Sequence, residues 1–445
     1  MATDVLQAVL DRGADPESLA LLSPDSGWTL AGLQVAVHQK AAELKELIEQ
    51  GQVYPLIVHQ DVDSVIDMLA LWQLGVTPAP LNPKLTQAEL AAAKTALSGV
   101  RSEAQAIVWT SGTAGRPRGV EVSFAGLSAN AEASAARLLL TDDDVWAASL
   151  SFAHVGGLAL LVRALLLGSD LVVLDAFDAR RLNEALEGRG LPIGYNRPVT
   201  HVSLVPTQLK KLLDERGDEP APKTARCVLT GGAHAPMALV GRAGRLGWPI
   251  ALTYGMTEMT SQVATAAPAL TRLKPGTVGA PLNGTELHIA PDDEIMVRGA
   301  TLAERYVGAD EERILGDDGW YHTGDLGRID EDGHLWVTGR RGERIISGGV
   351  TVDAIEVEEV LRAHPAVVDA VVTAIPDDEW GEIVGAFVVG VEGEFDLDAV
   401  DEHARSALSD AKRPRRWLID HELPLNANGK VDRVLVAAFL RDAEA

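Results

Sequence analysis

Residues 106–120 read AIVWTSGTAGRPRGV, a short apolar run that leads into a turn rich in glycine, serine and threonine. The apolar run predicts a buried strand, and the glycines let the following chain turn tightly and aim backbone N–H groups inward. The hydroxyls of Thr110, Ser111 and Thr113 add donors, and Arg118 adds positive charge. The Gly-Lys-Ser/Thr ending of a Walker A loop is absent. This stretch therefore predicts a strand followed by a loop that cradles a polyphosphate, with an ordinary Gly/Ser turn as the alternative.

The sequence on both sides of this stretch alternates between helical periodicity and short β-branched runs. Upstream, Ala41–Gln50 predicts an amphipathic helix, Tyr54–His59 a strand and Ser64–Leu74 a second helix. Downstream, Leu171–Leu174 and Cys227–Thr230 predict buried parallel strands. Such alternation is typical of a layered α/β body.

The pattern changes in the last third of the chain. From about residue 277 to 339, short strands alternate with turn signals such as Pro291-Asp292-Asp293, which predicts a β-rich subdomain. A compact unit follows, with a helix at Ala354–Ala363 and strands at Ala366–Ile375 and Ile383–Val391. We therefore predict a large N-terminal domain over residues 1–340 and a small α+β C-terminal domain over residues 341–445.

Composition excludes several classes of function. The chain has 39 basic and 64 acidic residues and a net charge of −25, which disfavours a nucleic-acid or anionic-membrane partner. The first ten residues carry no basic-then-apolar export signal, and Val155–Phe177 is too interrupted to span a bilayer. The single cysteine, Cys227, excludes a disulfide framework. We expect a folded cytoplasmic protein without membrane insertion.

Further motifs follow the Gly-rich stretch. They are Gly231-Gly232-Ala233, Tyr254-Gly255-Met256-Thr257-Glu258, Trp320-Tyr321-His322-Thr323-Gly324-Asp325, Gly339-Arg340, Ser347-Gly348-Gly349 and the segment from Pro424 to Lys430. In this order they resemble the adenylate-forming superfamily of acyl-CoA synthetases, luciferases and peptide-synthetase adenylation domains. The resemblance runs from about Ala106 to Arg433, about three quarters of the chain.

The residue types in these motifs suit a nucleotide site. Tyr254 offers an aromatic face for a purine, Thr257 a hydroxyl for a phosphate oxygen, and Glu258 a hard oxygen ligand for Mg²⁺. Asp325 is suited to accept both ribose hydroxyls, and Arg340 to hold the ribose or a phosphate. Ordinary acidic capping of a helix and a turn aspartate are the structural alternatives.

The resemblance implies a two-step reaction with a carboxylic acid, ATP, Mg²⁺ and coenzyme A. Lys430 takes the position of the family's adenylation lysine, where an ammonium stabilises charge at the α-phosphate. The small domain is expected to be mobile and to rotate about a hinge after Arg340, where this chain has Gly342. Rotation would present Ser347-Gly348-Gly349 to a pantetheine thiol.

The candidate residues fall into three groups. The catalytic candidates are Lys430, Thr257, Glu258 and Arg118, with Glu258 also the metal ligand. The nucleotide and coenzyme A candidates are Thr110, Ser111, Gly112, Thr113, Gly115, Gly232, Ala233, Tyr254, Gly255, Asp325, Arg340, Ser347, Gly348 and Gly349. The substrate candidates are His154, Gly157, Arg163, Ser261 and Gln262.

Three segments suggest which acid is used. The segments 151–158 (SFAHVGGL), 254–265 (YGMTEMTSQVAT) and 344–349 (RIISGG) are similar to those of the o-succinylbenzoate–CoA ligases of menaquinone biosynthesis. In that group a basic residue stands where this chain has Arg163, so Arg163 is a candidate anchor for the aryl carboxylate, with an arginine that packs its stem and reaches solvent as the alternative. Another aryl- or medium-chain acyl-CoA ligase, or a stand-alone adenylation module that loads a carrier thiol, stays open. So does a homodimer.

Two departures from the superfamily pattern bear on the site. The phosphate loop ends in Arg118 where lysine is common, which keeps the charge but changes its shape. After Gly349 the sequence Val350-Thr351-Val352-Asp353-Ala354 replaces a common Glu-Asn-Ile-Tyr-Pro run. The detailed contacts to coenzyme A are therefore expected to differ from those of the superfamily.

Overall fold

The computed structural model describes residues 1–48, 51–110, 118–307, 313–426 and 430–443. Its largest sheet has the strand order β12-β11-β10-β9-β7-β8-β1-β2. These strands are β1 Leu19–Leu22, β2 Gly27–Thr29, β7 Val145–Ala148, β8 Asp170–Val173, β9 His201–Leu204, β10 Cys227–Thr230, β11 Ile250–Met256 and β12 Ser261–Ala266. The six central strands are parallel, and the edge strands β2 and β12 pair antiparallel. Parallel strands place their carboxyl ends at one edge, where ligands bind in open α/β sheets.

Smaller sheets complete the strand inventory of the described residues. The parallel pair is β3 Val53–Ile57 with β4 Thr77–Leu81, and the sheet β15-β6-β5 contains β5 Ala106–Thr110, β6 Arg118–Val122 and β15 Tyr306–Val307. The sheet β13-β14-β16-β17 contains β13 Thr285–Ile289, β14 Glu294–Gly299, β16 Tyr321–Ile329 and β17 Leu335–Arg340. The sheet β19-β18-β21-β20, with β22 added beside β21, contains β18 Ile345–Ser347, β19 Val350–Val352, β20 Val367–Asp377, β21 Gly381–Gly390 and β22 Pro414–Asp420.

Helices connect most of the strands. They are α1 Val5–Asp11, α2 Leu30–Leu44, α3 Val62–Gln73, α4 Gln87–Ala96, α5 Phe124–Leu138, α6 Val155–Leu167, α7 Ala179–Leu186, α8 Pro206–Arg216, α9 Met237–Arg245, α10 Pro268–Leu273, α11 Ala354–Arg362, α12 Leu397–Ala407 and α13 Arg433–Asp442. In the described part of the chain, none of them combines the length and the apolar character needed to cross a lipid bilayer.

The chain divides into two compact units. Unit 1 comprises residues 1–233, 243–287 and 297–321, and unit 2 comprises residues 234–242, 288–296 and 322–445. The core of unit 1 packs apolar residues of α3 and α6 with the main sheet, and Trp72, Trp146 and Phe152 are among its largest fully buried side chains. Unit 2 has its own core between α11, α12 and the strands β20 and β21. The predicted boundary at residue 340 remains a prediction beside this division.

The predicted fold class, an α/β body with a β-rich part and a small α+β C-terminal domain, is confirmed. Tyr54–His59 and Ser64–Leu74 correspond to β3 and α3, and Cys227–Thr230 matches β10. The helix predicted at Ala41–Gln50 is wrong in its bounds, because α2 runs from Leu30 to Leu44. Thr29 caps its start by accepting a hydrogen bond from the Gly32 N–H, a signal that lies upstream of the window used.

Candidate active site

The two strands that flank the Gly-rich stretch hold its ends together. β5 and β6 are antiparallel, and Thr110 lies opposite Arg118. The Thr110 hydroxyl also donates a long hydrogen bond of 3.4 Å to the carbonyl oxygen of Arg118. The predicted phosphate-binding residues Ser111, Gly112, Thr113 and Gly115 lie outside the described residues. Their role, and that of Thr110 and Arg118 at the two ends of the loop, stays a prediction.

A tight turn joins β11 to β12 and carries Glu258. Thr257–Met259 form one turn of 3-10 helix, and the next two residues, Thr260 and Ser261, have φ values of 51° and 103°. A Cβ atom at Gly255 would lie 2.0 Å from the carbonyl oxygen of Ser261, so only glycine fits there. Left-handed backbone at non-glycine residues costs about 1–3 kcal/mol each and clusters at functional sites. The predicted residues 254–262 therefore form one rigid, strained turn.

Two tyrosines surround Glu258. The Tyr306 hydroxyl donates a 3.0 Å hydrogen bond to Oε1 of Glu258 and lies 3.3 Å from the Tyr321 hydroxyl. The Arg118 guanidinium carbon lies 5.0 Å from the centroid of the Tyr306 ring. Burial and the charge of Glu258 raise the pKa of both tyrosines well above the ordinary value, so both stay protonated at neutral pH. No described residue donates a hydrogen bond to Oε2 of Glu258, which leaves this oxygen for a cation.

The motif Gly231–Ala233 lies at the carboxyl end of β10. A Cβ atom at Gly231 would lie 2.5 Å from the side chain of Thr253 on the neighbouring strand β11. Gly232 has φ of 79°, which favours glycine at this turn. Tyr254 is the next residue of β11, so Tyr254 lies near the end of the parallel strand adjacent to β10, the strand that Gly232 and Ala233 follow.

His154 and Gly157 begin the helix α6 just after β7. His154 is the N-cap residue of α6 and makes no side-chain capping hydrogen bond. A Cβ atom at Gly157 would lie 2.3 Å from the carbonyl oxygen of Ser151. Glycine at 157 thus has a packing reason independent of substrate, because the helix start folds tightly against the preceding loop. Both residues lie beyond the carboxyl end of β7, on the side of the sheet where ligands bind.

Arg163, one end of a buried polar cluster, is 3% exposed. Its Nη1 donates to Ser134 Oγ at 3.1 Å and to Gln262 Oε1 at 3.2 Å, and its guanidinium carbon lies 4.4 Å from the ring centroid of Trp146. Its Nε has no hydrogen-bond partner among the residues that the structure describes. Burial lowers the pKa of Arg163 to about 10, so it remains charged at neutral pH. No carboxylate of the described residues forms an ion pair with it.

Gln262 holds its orientation through further hydrogen bonds. Its Nε2 donates to Thr265 Oγ1 at 2.9 Å and to Thr253 Oγ1 at 3.3 Å. Its backbone carbonyl oxygen accepts a hydrogen bond from Asn130 Nδ2 at 2.9 Å. Since both amide hydrogens are engaged, the side-chain oxygen of Gln262 faces Arg163. The sequence-predicted residues Arg163 and Gln262 therefore lie in direct contact.

In unit 2, Asp325 and Arg340 lie opposite each other on β16 and β17. Arg340 Nε is 3.5 Å from Asp325 Oδ1. The backbone N–H of Asp325 donates to Thr323 Oγ1, which itself donates to the carbonyl oxygen of Ile295 at 2.7 Å. Thr323 thus holds the backbone of Asp325, whose carboxylate lies beside the Arg340 guanidinium, and the role of both groups at a ribose stays a prediction.

Ser347-Gly348-Gly349 form a turn between β18 and β19. Ser347 is fully buried, and no described residue forms a hydrogen bond with its Oγ. Gly348 and Gly349 have φ values of 57° and 80°. A Cβ atom at Gly348 would lie 2.7 Å from the ring of Trp380, over which Arg415 stacks at 3.9 Å. Glycine at 348 is therefore required both by its backbone conformation and by the adjacent indole.

Lys430 is held by hydrogen bonds between its backbone and Asn426. Its backbone N–H donates to Asn426 Oδ1 at 3.2 Å, and its carbonyl oxygen accepts from the Asn426 N–H at 2.8 Å. Although the residue keeps contact with solvent, desolvation by the surrounding protein lowers the pKa of its ammonium, and the positive charge of Arg340 lowers it further. The expected catalytic role of Lys430 stays a prediction.

Sequence reasoning missed the side chains that link the candidates. Tyr306 joins Arg118 to Glu258, while Ser134 and Trp146 surround Arg163. Tyr321 lies inside a motif already recognised, which could have drawn attention to it. Tyr306 and Trp146 follow no spacing that distinguishes them from ordinary core aromatics.

Comparisons with known proteins identify the family. Residues 98–307 match the model of the AMP-binding enzymes, and residues 356–430 match the AMP-binding enzyme C-terminal domain. A 2-succinylbenzoate–CoA ligase from Bacillus cereus is 38% identical over 341 residues, covering 74% of this chain and 69% of the relative. A homologue of the same name from another Bacillus cereus strain is 35% identical over 401 residues, covering 88% and 79%.

Solved structures agree. The o-succinylbenzoate CoA synthetase from Bacillus subtilis, in complex with its acyl-adenylate intermediate, superposes with a TM-score of 0.87 at 28% identity, covering 99% of this chain and 98% of that chain. The same enzyme in complex with ATP and a magnesium ion gives 0.85 at 27% identity, covering 99% of both. The predicted membership of the adenylate-forming superfamily is confirmed, and the chain belongs to the AMP-binding enzyme family.

Proposed function

We propose that the protein is a 2-succinylbenzoate–CoA ligase, which adenylates the acid with ATP and then transfers the acyl group to coenzyme A. The observation that carries this proposal is the buried guanidinium of Arg163. A buried charge without a paired anion is costly, and this one has an unpartnered Nε and no acidic neighbour among the described residues. A substrate with a second carboxylate supplies the missing anion, whereas a simple fatty acid does not.

The nucleotide residues support the first half-reaction. Glu258 Oε2 and the Thr257 hydroxyl are hard oxygen donors of the kind that Mg²⁺ takes, together with phosphate oxygens. The bound metal would neutralise charge on the phosphates. Tyr254 stacks with the adenine, Asp325 and Arg340 hold the ribose, and Lys430 stabilises charge where the carboxylate attacks the α-phosphate. The strained turn at 254–262 keeps the backbone of Tyr254, Thr257 and Glu258 rigid.

The second half-reaction involves the turn Ser347-Gly348-Gly349. Gly349 has a positive φ and nothing within 4 Å of its Cβ position, which leaves room for the close approach of a narrow pantetheine arm. The chain's own groups then exclude water from the adenylate and orient the thiol.

The acid assignment is tested by measuring pyrophosphate release with ATP and Mg²⁺ over a panel of acids. We expect o-succinylbenzoate to react best, ahead of 4-phenyl-4-oxobutyrate, benzoates and medium-chain fatty acids. Arg163→Met should reduce kcat/KM for o-succinylbenzoate by roughly ten- to a hundred-fold, the effect of losing a charge-assisted hydrogen bond. Arg163→Lys, which keeps the charge but not the planar fork, should fall between.

The monocarboxylate is the internal control of this experiment. Since 4-phenyl-4-oxobutyrate has no ring carboxylate, its kcat/KM should change little in Arg163→Met. Equal losses for both acids would remove Arg163 from the acid site. A wild-type preference for benzoates or fatty acids would replace the proposed substrate by another acid of the same family.

A cytoplasmic location and a homodimer are further predictions. ATP, Mg²⁺ and coenzyme A are available together in the cytoplasm, which favours that compartment. Sedimentation analysis at several protein concentrations distinguishes a monomer from a dimer, and fractionation of cells that produce the protein tests the location.

A further inference from the structure

The chain segment 301–307 runs alongside the turn that carries Glu258. The carbonyl oxygen of Thr301 accepts a hydrogen bond from Thr260 Oγ1 at 2.7 Å, and the Ala303 N–H donates to the carbonyl oxygen of Glu258 at 2.8 Å. Both contacts are made through backbone atoms of the segment. They fix the distance between the segment and the turn whatever the side chains of the segment are.

The same segment is attached to β6, the strand that begins with Arg118. Tyr306 and Val307 form β15 and pair with Val120 and Gly119 of β6. At Gly119 the fit is close, because a Cβ atom there would lie 2.7 Å from Ile107 Cγ2 and 3.3 Å from the carbonyl oxygen of Val307. The segment therefore connects the exit of the Gly-rich loop to the Glu258 turn.

Tyr306 is the side chain at which these two attachments meet. It is 8% exposed, and its hydroxyl donates a hydrogen bond to Glu258 Oε1. The centroid of its ring lies 5.0 Å from the guanidinium carbon of Arg118. The Tyr321 hydroxyl lies 3.3 Å from the Tyr306 hydroxyl, and among the described residues it makes no hydrogen bond to Glu258. Tyr306 thus makes two different polar interactions, one through its oxygen and one through its ring face.

We propose that Tyr306 is a positioning residue for the phosphate and metal end of the nucleotide site, acting through Glu258 and Arg118. Its hydroxyl occupies Oε1 and holds the carboxylate so that Oε2 faces the metal. Its ring confines the guanidinium that closes the Gly-rich loop. This inference rests on the proposed function, in which Glu258 is the metal ligand and Arg118 contacts a phosphate.

Three variants separate the two interactions. Tyr306→Phe removes the hydroxyl and keeps the ring, while Tyr306→Leu removes both. Tyr321→Phe is the matched control, since it deletes a buried tyrosine hydroxyl next to the first one but outside the contact with Glu258. The Mn²⁺ affinity of each protein is measured by the electron paramagnetic resonance of free Mn²⁺ in the presence of α,β-methylene-ATP, which does not react. Affinity for the nucleotide alone is measured without metal.

We expect Tyr306→Phe to weaken Mn²⁺ binding roughly ten-fold, as the loss of a hydrogen bond to a charged group predicts, with metal-free nucleotide affinity unchanged. Tyr306→Leu should weaken both. Tyr321→Phe should resemble the wild type. In pyrophosphate release, high Mg²⁺ should restore the rate of Tyr306→Phe but not that of Tyr306→Leu.

A double-mutant cycle guards against a purely structural effect. If Tyr306 acts through Glu258, adding Tyr306→Phe to Glu258→Gln should cause no further loss of Mn²⁺ affinity, whereas general loosening would add to it. Wild-type Mn²⁺ affinity in Tyr306→Phe, or full additivity in the cycle, would overturn the proposal. A wild-type protein that binds neither Mn²⁺ nor the nucleotide would instead count against the proposed function.

Discussion

Individual residues of the site carry charges whose surroundings can be compared. Among the described residues, Arg163 forms hydrogen bonds with the neutral side chains of Ser134 and Gln262. The Arg118 guanidinium lies 5.0 Å from an aromatic ring centroid, and Arg340 has a carboxylate oxygen 3.5 Å away. Gln262 was singled out from the sequence because it lies in the segment 254–265, and Arg163 because the resembling ligases have a basic residue at its position. Trp146 and Ser134 were not, since their meeting with Arg163 depends on how α5 and α6 pack on the sheet.

The ammonium of Lys430 permits a prediction about pH. Because desolvation and Arg340 lower its pKa, Lys430 loses its proton at a lower pH than an ordinary lysine with a value of 10.5. The folded protein should therefore lose adenylation as pH rises through that lowered pKa. Single-turnover pyrophosphate release should show this alkaline limb, and Lys430→Ala should abolish adenylation at every pH.

Acyl transfer from a supplied acyl-adenylate is the control for Lys430. This half-reaction needs no charge at the α-phosphate, so it should lack the alkaline limb and survive in Lys430→Ala. Equal losses of both half-reactions in the variant would contradict the role given to this lysine.

At the scale of elements, local signals gave the strands and helices but not their ends or partners. The apolar run at Cys227–Thr230 predicted β10 correctly because a buried strand leaves a short continuous signal. The strand β22, Pro414–Asp420, was missed. Its first residue is a proline and three of its seven residues are charged, so only its pairing with β21 reveals it.

The short 3-10 turn Arg341–Glu343 is the element on which the predicted rotation depends. A Cβ atom at Gly342 would meet nothing within 4 Å, so packing does not require glycine here. Gly342→Pro should slow thioester formation more than adenylation, because proline fixes φ where the chain must change direction. Gly342→Ala is the matched control and should be close to the wild type.

Stopped-flow measurement with preformed adenylate isolates the second half-reaction of these variants. Equal rates for Gly342→Pro and Gly342→Ala would move the hinge to another residue. Equal slowing of both half-reactions in Gly342→Pro would point to a folding defect instead.

For the whole molecule, the order of motifs along the chain was the strongest signal. The segments that begin near residues 106, 254, 325 and 430 are far apart in sequence. Only their resemblance to the family's fixed order of motifs predicted that they belong to one site. Tyr306 on the two-residue strand β15, which contacts both Arg118 and Glu258, depends on tertiary pairing and follows no local signal. Reasoning from one sequence could name candidate ligand-binding groups but not the residues that hold those groups in place.

The buried charge of Arg163 implies a trade-off between the stability of the ligand-free protein and its selectivity for a substrate. A protein that keeps a guanidinium among neutral side chains is less resistant to unfolding than it would be with an apolar chain of similar length. Without ligand, Arg163→Met should therefore gain about 1 kcal/mol in free energy of unfolding, measured by urea denaturation. A variant less stable than the wild type would show that the contacts of Arg163 with Ser134, Gln262 and Trp146 outweigh its desolvation. If the variant is more stable, the wild-type protein has a lower free energy of unfolding without ligand, and this lower stability accompanies the proposed selectivity for an acid with two carboxylates.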